Sequence, residues 1–317
     1  MTTVPRLTVG LPVYNGEQYL GESLDALLGQ SYEDFELIIS DNASTDGTEE
    51  LSREYQARDS RVRYLRQPRN IGCAPNHNVL VEQARGEFFK WASDDDLYAR
   101  DLLRRCVDAL DERPRAILAH SWTAMIDEAG DVTQAVAYTL NTASASAPER
   151  FRSTLFANGG DDDGAVIRTE VLRRIKPLDS YHHADRTIIS ELALHGQFHQ
   201  VPDWLYFRRD HPGRSEREYP TLRKRCANLD PRRANRLRHP TARLLGEYVW
   251  GYASAIRRAP LSTSDKRECY RALRQWLTSR AGRGSAEWGR IADAPTAKLE
   301  QPVAVSAVVA GQEGRTS

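Results

Sequence analysis

The chain has 317 residues, with 44 Lys and Arg balanced by 44 Asp and Glu, 40% hydrophobic and 28% charged residues. That is the make-up of an ordinary globular protein with a sizeable core, one large domain or two modest ones. No apolar run approaches the ~18–20 residues of a membrane-spanning helix, and Cys73, Cys106, Cys226 and Cys269 are too scattered for a zinc site or a disulfide framework.

In chain order, LTVGL (Leu7–Leu11) reads as a buried strand ending at Pro12, and residues 17–28 place Leu20, Leu24, Leu27 and Leu28 on one helical face. FELIIS (Phe35–Ser40) is a second strand. The following STDGTEELSREYQ offers Ser44 and Thr45 as N-caps with acids in the first turn. VRYLR (Val62–Arg66) is a third strand, followed by a loop and a helix from about Pro75 to Ala84. FFKWA is a fourth, Asp101–Leu110 a helix and AILAHS (Ala116–Ser121) a fifth strand. A hairpin is expected around Glu128–Asp131, loops at 141–148 and 158–164, and a strand at Gly164–Arg168. A helix follows at Asp185–His195, and WLYFRR (Trp204–Arg209) is a last strand. Residues 219–276 read as helical with breaks at Pro231, Pro240 and Pro260, and the composition beyond Ile291 reads as a disordered tail.

Strands alternating with helices at this spacing imply right-handed βαβ units, hence an α/β, Rossmann-like and mostly parallel sheet covered on both faces. Ligands of such sheets bind beyond the carboxyl ends of the strands. Pro12-Val13-Tyr14-Asn15, Asp41-Asn42 and Asp94-Asp95-Asp96 should therefore share one rim. Three adjacent carboxylates repel one another. A hard divalent cation such as Mg²⁺ or Mn²⁺ relieves that repulsion and bridges carboxylates to substrate phosphates.

Four motifs in order, PVYNGEQYL after the first strand, DNASTDGT (Asp41–Thr48), NIG (Asn70–Gly72) and RGEFFKWASDDDLYARDLL (Arg85–Leu103), make residues 7–112 resemble the nucleotide-sugar half of family 2 glycosyltransferases. A weaker echo runs to Ser215. The resemblance implies a GT-A fold over residues 1–215, with a nucleotide-sugar half at 1–120 and an acceptor half at 121–215. A basic helical extension (216–290) and the tail (291–317) would follow. It further implies that Asp41 accepts a hydrogen bond from the nucleotide base beside Pro12, Val13 and Tyr14, with Asn15, Glu17, Asn42, Asn70 and Gly72 lining the donor site. Asp94 would lie near the ribose and Asp95 would bind the metal; Ser93 stands where the family has its first acid. Asp96 is expected to cap the next helix or to support its neighbours. His211 matches a histidine that completes the metal shell, though a turn role before Pro212 is the competing reading. Asp185 occupies the place of the inverting base, with capping of its helix as the plain alternative and Asp161, Asp162 and Asp163 as rival bases. Glu191 should turn away. Arg208, Arg209 and Arg214 are candidates to neutralise phosphate. His182 and His183 are expected at the surface or acceptor side, and Gly196 argues against a metal site between His195 and His199.

The implied reaction moves a sugar from a nucleotide-diphosphate donor, UDP or dTDP by family habit, to a hydroxyl of a glycan, a lipid-linked glycan or a small natural product. A dehydrogenase would need G-x-G-x-x-G after the first strand, where this chain has GLPVYNG, and no lysine follows a glycine as a P-loop requires. A sugar nucleotidyltransferase, which typically has a basic Gly-rich loop there, and an inactive nucleotide-sugar-binding protein are the remaining rivals. Between Arg208 and Arg290 some twenty Lys and Arg face eight Asp and Glu. That half is either a solvated helical surface or a face toward something anionic, such as phospholipid. No base-reading module accompanies it, so nucleic acid is not an expected partner. The N-terminus has no secretory signal pattern, and the expected location is the cytoplasm with room for peripheral membrane contact.

Overall fold

The computed structural model describes residues 4–156, 164–240, 242–280 and 296–297. The first half lays down β1 (Leu7–Val13), α1 (Leu20–Leu28), β2 (Phe35–Asp41), α2 (Thr48–Arg58), β3 (Val62–Arg66), α3 (Cys73–Gln83), β4 (Phe88–Trp91), β5 (Leu97–Tyr98) and α4 (Leu102–Glu112). There follow β6 (Ala116–Ile126), β7 (Val132–Val136), α5 (Ala147–Phe156), β8 (Val166–Arg168), α6 (Thr169–Arg174), α7 (Ala184–His195) and β9 (Gln197–Arg209). The last part is helical: α8 (Ser215–Glu218), α9 (Leu222–Leu229), a 3₁₀ turn at Pro231–Ala234, α10 (Arg243–Arg258) and α11 (Thr263–Arg280). A two-residue strand, β10 (Thr296–Ala297), pairs with β7.

All seven residues of β2 are buried, as befits a parallel strand covered on both faces. The order β3-β2-β1-β4 is parallel throughout. Beyond β4 the pattern departs from simple alternation. The fifth sequence strand does not pair with the fourth, because β8 inserts antiparallel to both β4 and β6. AILAHS is only the start of β6, which runs on to Ile126. One edge of β6 carries β8 and then β7, and the other pairs in parallel with β9 along its length. WLYFRR is likewise the end of a strand that begins at Gln197. The short β5, just past the three aspartates, pairs with Tyr206 and Phe207 of β9.

One face of the sheet packs α1 and α4 through Leu20, Leu24, Leu27, Leu102, Leu103 and Leu110; the other packs Leu80, Leu172, Ile188 and Leu192. A third cluster joins Phe151 of α5 and Leu194 of α7 to Leu244, Tyr252 and Ile256 of α10 and Trp276 of α11. The basic extension therefore shares a core with α5 and α7. Its breaks fall as the prolines suggest: Pro231 opens the 3₁₀ turn, and Pro240 and Pro260 flank α10. The expected loop at 141–148 is shortened by α5, which starts at Ala147. The supposed tail lies outside the described residues except at 296–297, as do Asp161, Asp162 and Asp163.

Candidate active site

The first two rim loops are latched together by side chains. Asn15, at φ 54°, donates its N–H to Ser44 Oγ (2.9 Å) and accepts from the Thr45 N–H at Oδ1 (2.8 Å). Glu17 Oε2 accepts from the Gly47 N–H (2.6 Å), and the Gly16 N–H donates to Thr48 Oγ1 (3.0 Å). Ser44 and Thr45 thus serve the neighbouring loop rather than capping α2, which starts at Thr48 behind Gly47. Pro12 and Val13 finish β1, the Val13 carbonyl accepting from the Asn42 N–H (2.9 Å), while Tyr14 is exposed.

Asp41 is fully buried. Its carboxylate accepts from the Ser44 N–H (2.8 Å), the Tyr64 hydroxyl (2.6 Å) and Arg66 Nη1 (2.5 Å). Asn42 donates to Asn70 Oδ1 (3.1 Å) and accepts from the Ile71 N–H (2.8 Å), tying the NIG loop to β2. Gly72 adopts φ +96° and ψ 157°, a region essentially restricted to glycine. A Cβ there would also stand 2.5 Å from the Leu229 carbonyl oxygen at the end of α9. The extension thus closes directly over the NIG loop.

The acidic turn meets the first loop. A Cβ on Gly16 would lie 2.1 Å from Asp94 Oδ2 and 2.7 Å from Val13 Cγ2, so a larger residue would displace the Asp94 carboxylate. Burial and repulsion from Asp95 push the Asp94 carboxyl up from its ordinary range. Burial acts on Asp95 in the same direction, but hydrogen bonds from His211 and Ser93 outweigh it and hold Asp95 low. His211 Nε2 lies 2.9 Å from Asp95 Oδ2, bringing together residues 116 positions apart, and Ser93 Oγ donates to the other oxygen. The Tyr19 ring meets the His211 imidazole edge-on at 4.8 Å. Its buried hydroxyl has no hydrogen-bond partner among the described residues, an orphaned polar atom beside the acids.

Asp96 does not cap the next helix. That helix starts at Leu102 behind Asp101, whereas Asp96 is buried and accepts from the Tyr206 hydroxyl and the Arg209 N–H (2.9 Å). Burial and the Asp95 charge raise its carboxyl. Arg209 is no phosphate reader either. Its side chain is 1% exposed, donating to Glu22 (2.7 Å) and to the Asp95 (2.9 Å) and Glu128 (2.8 Å) carbonyls, with Tyr19 stacked beneath. Arg214 donates to the Arg209 carbonyl (3.0 Å) and helps keep Asp95 ionised.

Sequence reasoning missed the support below this turn. Tyr98 and Tyr206 stack 5.8 Å apart, and their hydroxyls hold Ser93 and Asp96. Fully buried Lys90 lies against both rings (5.1 and 5.4 Å) and donates to the Gly164 carbonyl (2.7 Å). A lysine inside an otherwise apolar strand was the one signal available. Asp185 is exposed in the first turn of α7. His183, with φ 62°, takes the N-cap position, so Asp185 is not the cap. Glu191 does turn away: it is buried and paired with Arg258 (2.8 Å). His182 is buried rather than superficial, its carbonyl accepting from the Tyr248 hydroxyl (2.5 Å).

Comparison with known proteins matches this architecture. The sequence model of glycosyl transferase family 2 covers residues 8–177, more than half the chain. A putative teichuronic acid biosynthesis glycosyltransferase of Bacillus subtilis, TuaG, is 29% identical over 124 residues, 39% of this chain and 49% of its own. An uncharacterized glycosyltransferase of Haemophilus influenzae is 31% identical over 128 residues, 40% of this chain and 51% of its own. The chain thus spans about half the length of the curated relatives it matches. Among solved structures, Staphylococcus aureus TarS superposes with TM-score 0.59 at 18% identity, over 89% of this chain and 44% of TarS. TarS residues 1–349 in complex with UDP give TM-score 0.52 at 18% identity, covering 93% of this chain and 96% of that one. With the GT-A architecture, the latched rim loops and a family match across both, the chain belongs to glycosyl transferase family 2.

Proposed function

We propose that the chain is an inverting glycosyltransferase that moves a sugar from a nucleotide-diphosphate donor to an acceptor hydroxyl with the help of a divalent cation. The observation that carries this is the 2.9 Å approach of His211 to Asp95 at the rim, beside the orphaned Tyr19 hydroxyl. Among the described residues no three His, Cys, Asp or Glu side chains converge as a metal cage. Asp95 and His211 would instead hold a Mg²⁺ or Mn²⁺ ion, whose chemistry suits an oxygen-rich substrate such as a diphosphate. When bound, such an ion stabilises charge on the departing diphosphate.

The chain's own groups fill the remaining roles. Arg66 and Tyr64, held in place by the buried Asp41, offer a fixed polar wall for the base. The loops held by Asn15, Glu17, Asn42, Asn70 and Gly72 shape the donor cleft, and Asp94, packed against Gly16, is assigned to the ribose. Asp185 removes the acceptor proton; its exposed place on α7, outside the nucleotide half, suits a base serving an acceptor hydroxyl that attacks from the far side of the sugar. UDP is the first donor to test, since the solved TarS neighbours include complexes with UDP and UDP-GlcNAc. Glycan, lipid-linked or small-molecule hydroxyls are the acceptor classes. The test is a thermal-shift panel of nucleoside diphosphates and sugar nucleotides with and without Mn²⁺, followed by transfer assays. Asp95→Ala should abolish the Mn²⁺-dependent shift. Asp185→Asn should keep the shift and lose about 10²–10⁴-fold in turnover. An undiminished shift in Asp95→Ala refutes the metal role, and unchanged turnover in Asp185→Asn refutes the base.

A further inference from the structure

The α9–α10 region combines two features that rarely coincide on a surface turned only to water. Residues 222–258 hold ten Lys and Arg against two acids, and both acids are engaged: Asp230 with Arg232 (2.6 Å), Glu247 with Arg233 (2.7 Å) and Arg243 (3.2 Å). The same stretch carries Leu237, 94% exposed, and Trp250, 64% exposed.

Local structure explains how they come to protrude. Asn235 Oδ1 accepts from the Leu237 (3.0 Å) and Arg238 (3.3 Å) N–H groups, folding a turn whose tip is the exposed triplet Arg236-Leu237-Arg238. The turn leads into α10, which buries Leu244, Tyr248, Tyr252 and Ile256 on one side. Arg243, Gly246, Trp250 and Arg257 follow at helical spacing on the exposed side, so that Trp250 has an arginine two turns away in each direction. A leucine between two arginines and a tryptophan between two more form no groove for a peptide. They match an anionic bilayer surface: guanidinium groups meet lipid phosphates, Leu237 enters the acyl boundary and the amphipathic indole settles at headgroup level.

We propose that the 236–238 turn and the exposed face of α10 dock the chain on an anionic phospholipid surface. The proposal is independent of the transfer reaction and is read without donor or acceptor.

The test is co-sedimentation of the full chain with phosphatidylcholine vesicles, with and without phosphatidylglycerol, at low and high salt. Binding is expected only with phosphatidylglycerol, weakening as salt rises. The double variant Arg236→Glu/Arg238→Glu should lower partitioning at least about tenfold. Leu237→Asp, which leaves every cation in place, should lower it roughly tenfold, and the tryptophan emission should shift to the blue on binding in the wild type but not in Trp250→Phe. All four positions are exposed, so unchanged melting temperatures certify the fold. Absence of binding to phosphatidylglycerol vesicles at low salt overturns the proposal. So does full binding by Leu237→Asp together with displacement by soluble heparin, which would mark a general polyanion face.

Discussion

Replacing Arg209 with methionine tests whether the acidic turn is held by β9. Methionine keeps most of the stem over Tyr19 and removes three donors. The Glu22 side chain is 59% exposed and returns to water, so losing that partner costs little. The Asp95 and Glu128 carbonyls lose charge-assisted bonds worth about 1.5–3 kcal/mol each. The sum, about 3–6 kcal/mol, overlaps the ~3–5 kcal/mol that breaking one side of a buried charged cluster usually costs. At roughly 2 °C per kcal/mol for a chain of this size, melting should fall by about 6–12 °C. Arg209→Lys should fall in between, because a single ammonium cannot span three acceptors set in a fork. Differential scanning fluorimetry gives both values, repeated with UDP and Mn²⁺ to ask whether the ligand response fades as the Asp95 backbone loosens. An Arg209→Met protein melting within about 2 °C of wild type, with its ligand response intact, would refute the idea that β9 anchors the turn.

Other outcomes follow from the same geometry. Gly72→Ala should destabilise by at least about 1–3 kcal/mol from its backbone angle alone, with the Leu229 carbonyl clash added, and should weaken donor binding in the thermal-shift panel. Lys90→Met should cost about 1–3 kcal/mol by leaving the buried Gly164 carbonyl unmatched, seen as a lower urea midpoint. Glu36 provides a pH signature. Burial would raise its carboxyl, but hydrogen bonds from Arg85, Thr8 and Arg63 prevail and lower it below 4.5. A carboxyl lowered on folding contributes stability that is complete above the unfolded value and lost as pH falls through the folded one. The melting gap between wild type and Glu36→Gln should thus be full near neutrality and shrink progressively below pH 4.5, whereas a pH-independent gap would assign the loss to packing.

Much of the fold could be read from strand and helix periods in residues 7–112, where each element buries one continuous face and is followed at once by its neighbour. The rim was legible for the same reason: PVYN, DNAS and SDDD stand at the ends of consecutive parallel strands. What could not be read depends on distant pairing. Nothing local in Val166–Arg168 marks it as the antiparallel strand between β4 and β6. Arg209 and Tyr206 look like surface and core residues until β9 is laid beside β5, and only then do they become the clamp on Asp96. Asp96 itself followed a good capping rule that lost to a tertiary contact, as local propensities do when burial offers a stronger partner.

The pairing of β5 with β9 also bears on how the chain can be divided. The turn that carries Asp94, Asp95 and Asp96 is a bridge whose near pier is β4 and whose far pier belongs to a strand more than a hundred residues downstream. Cutting the chain near residue 120 would leave β4 and β5 as raw sheet edges and remove the hydroxyl and guanidinium that hold the aspartates. Residues 1–120 are contiguous in sequence, yet their acidic turn is braced from outside that stretch.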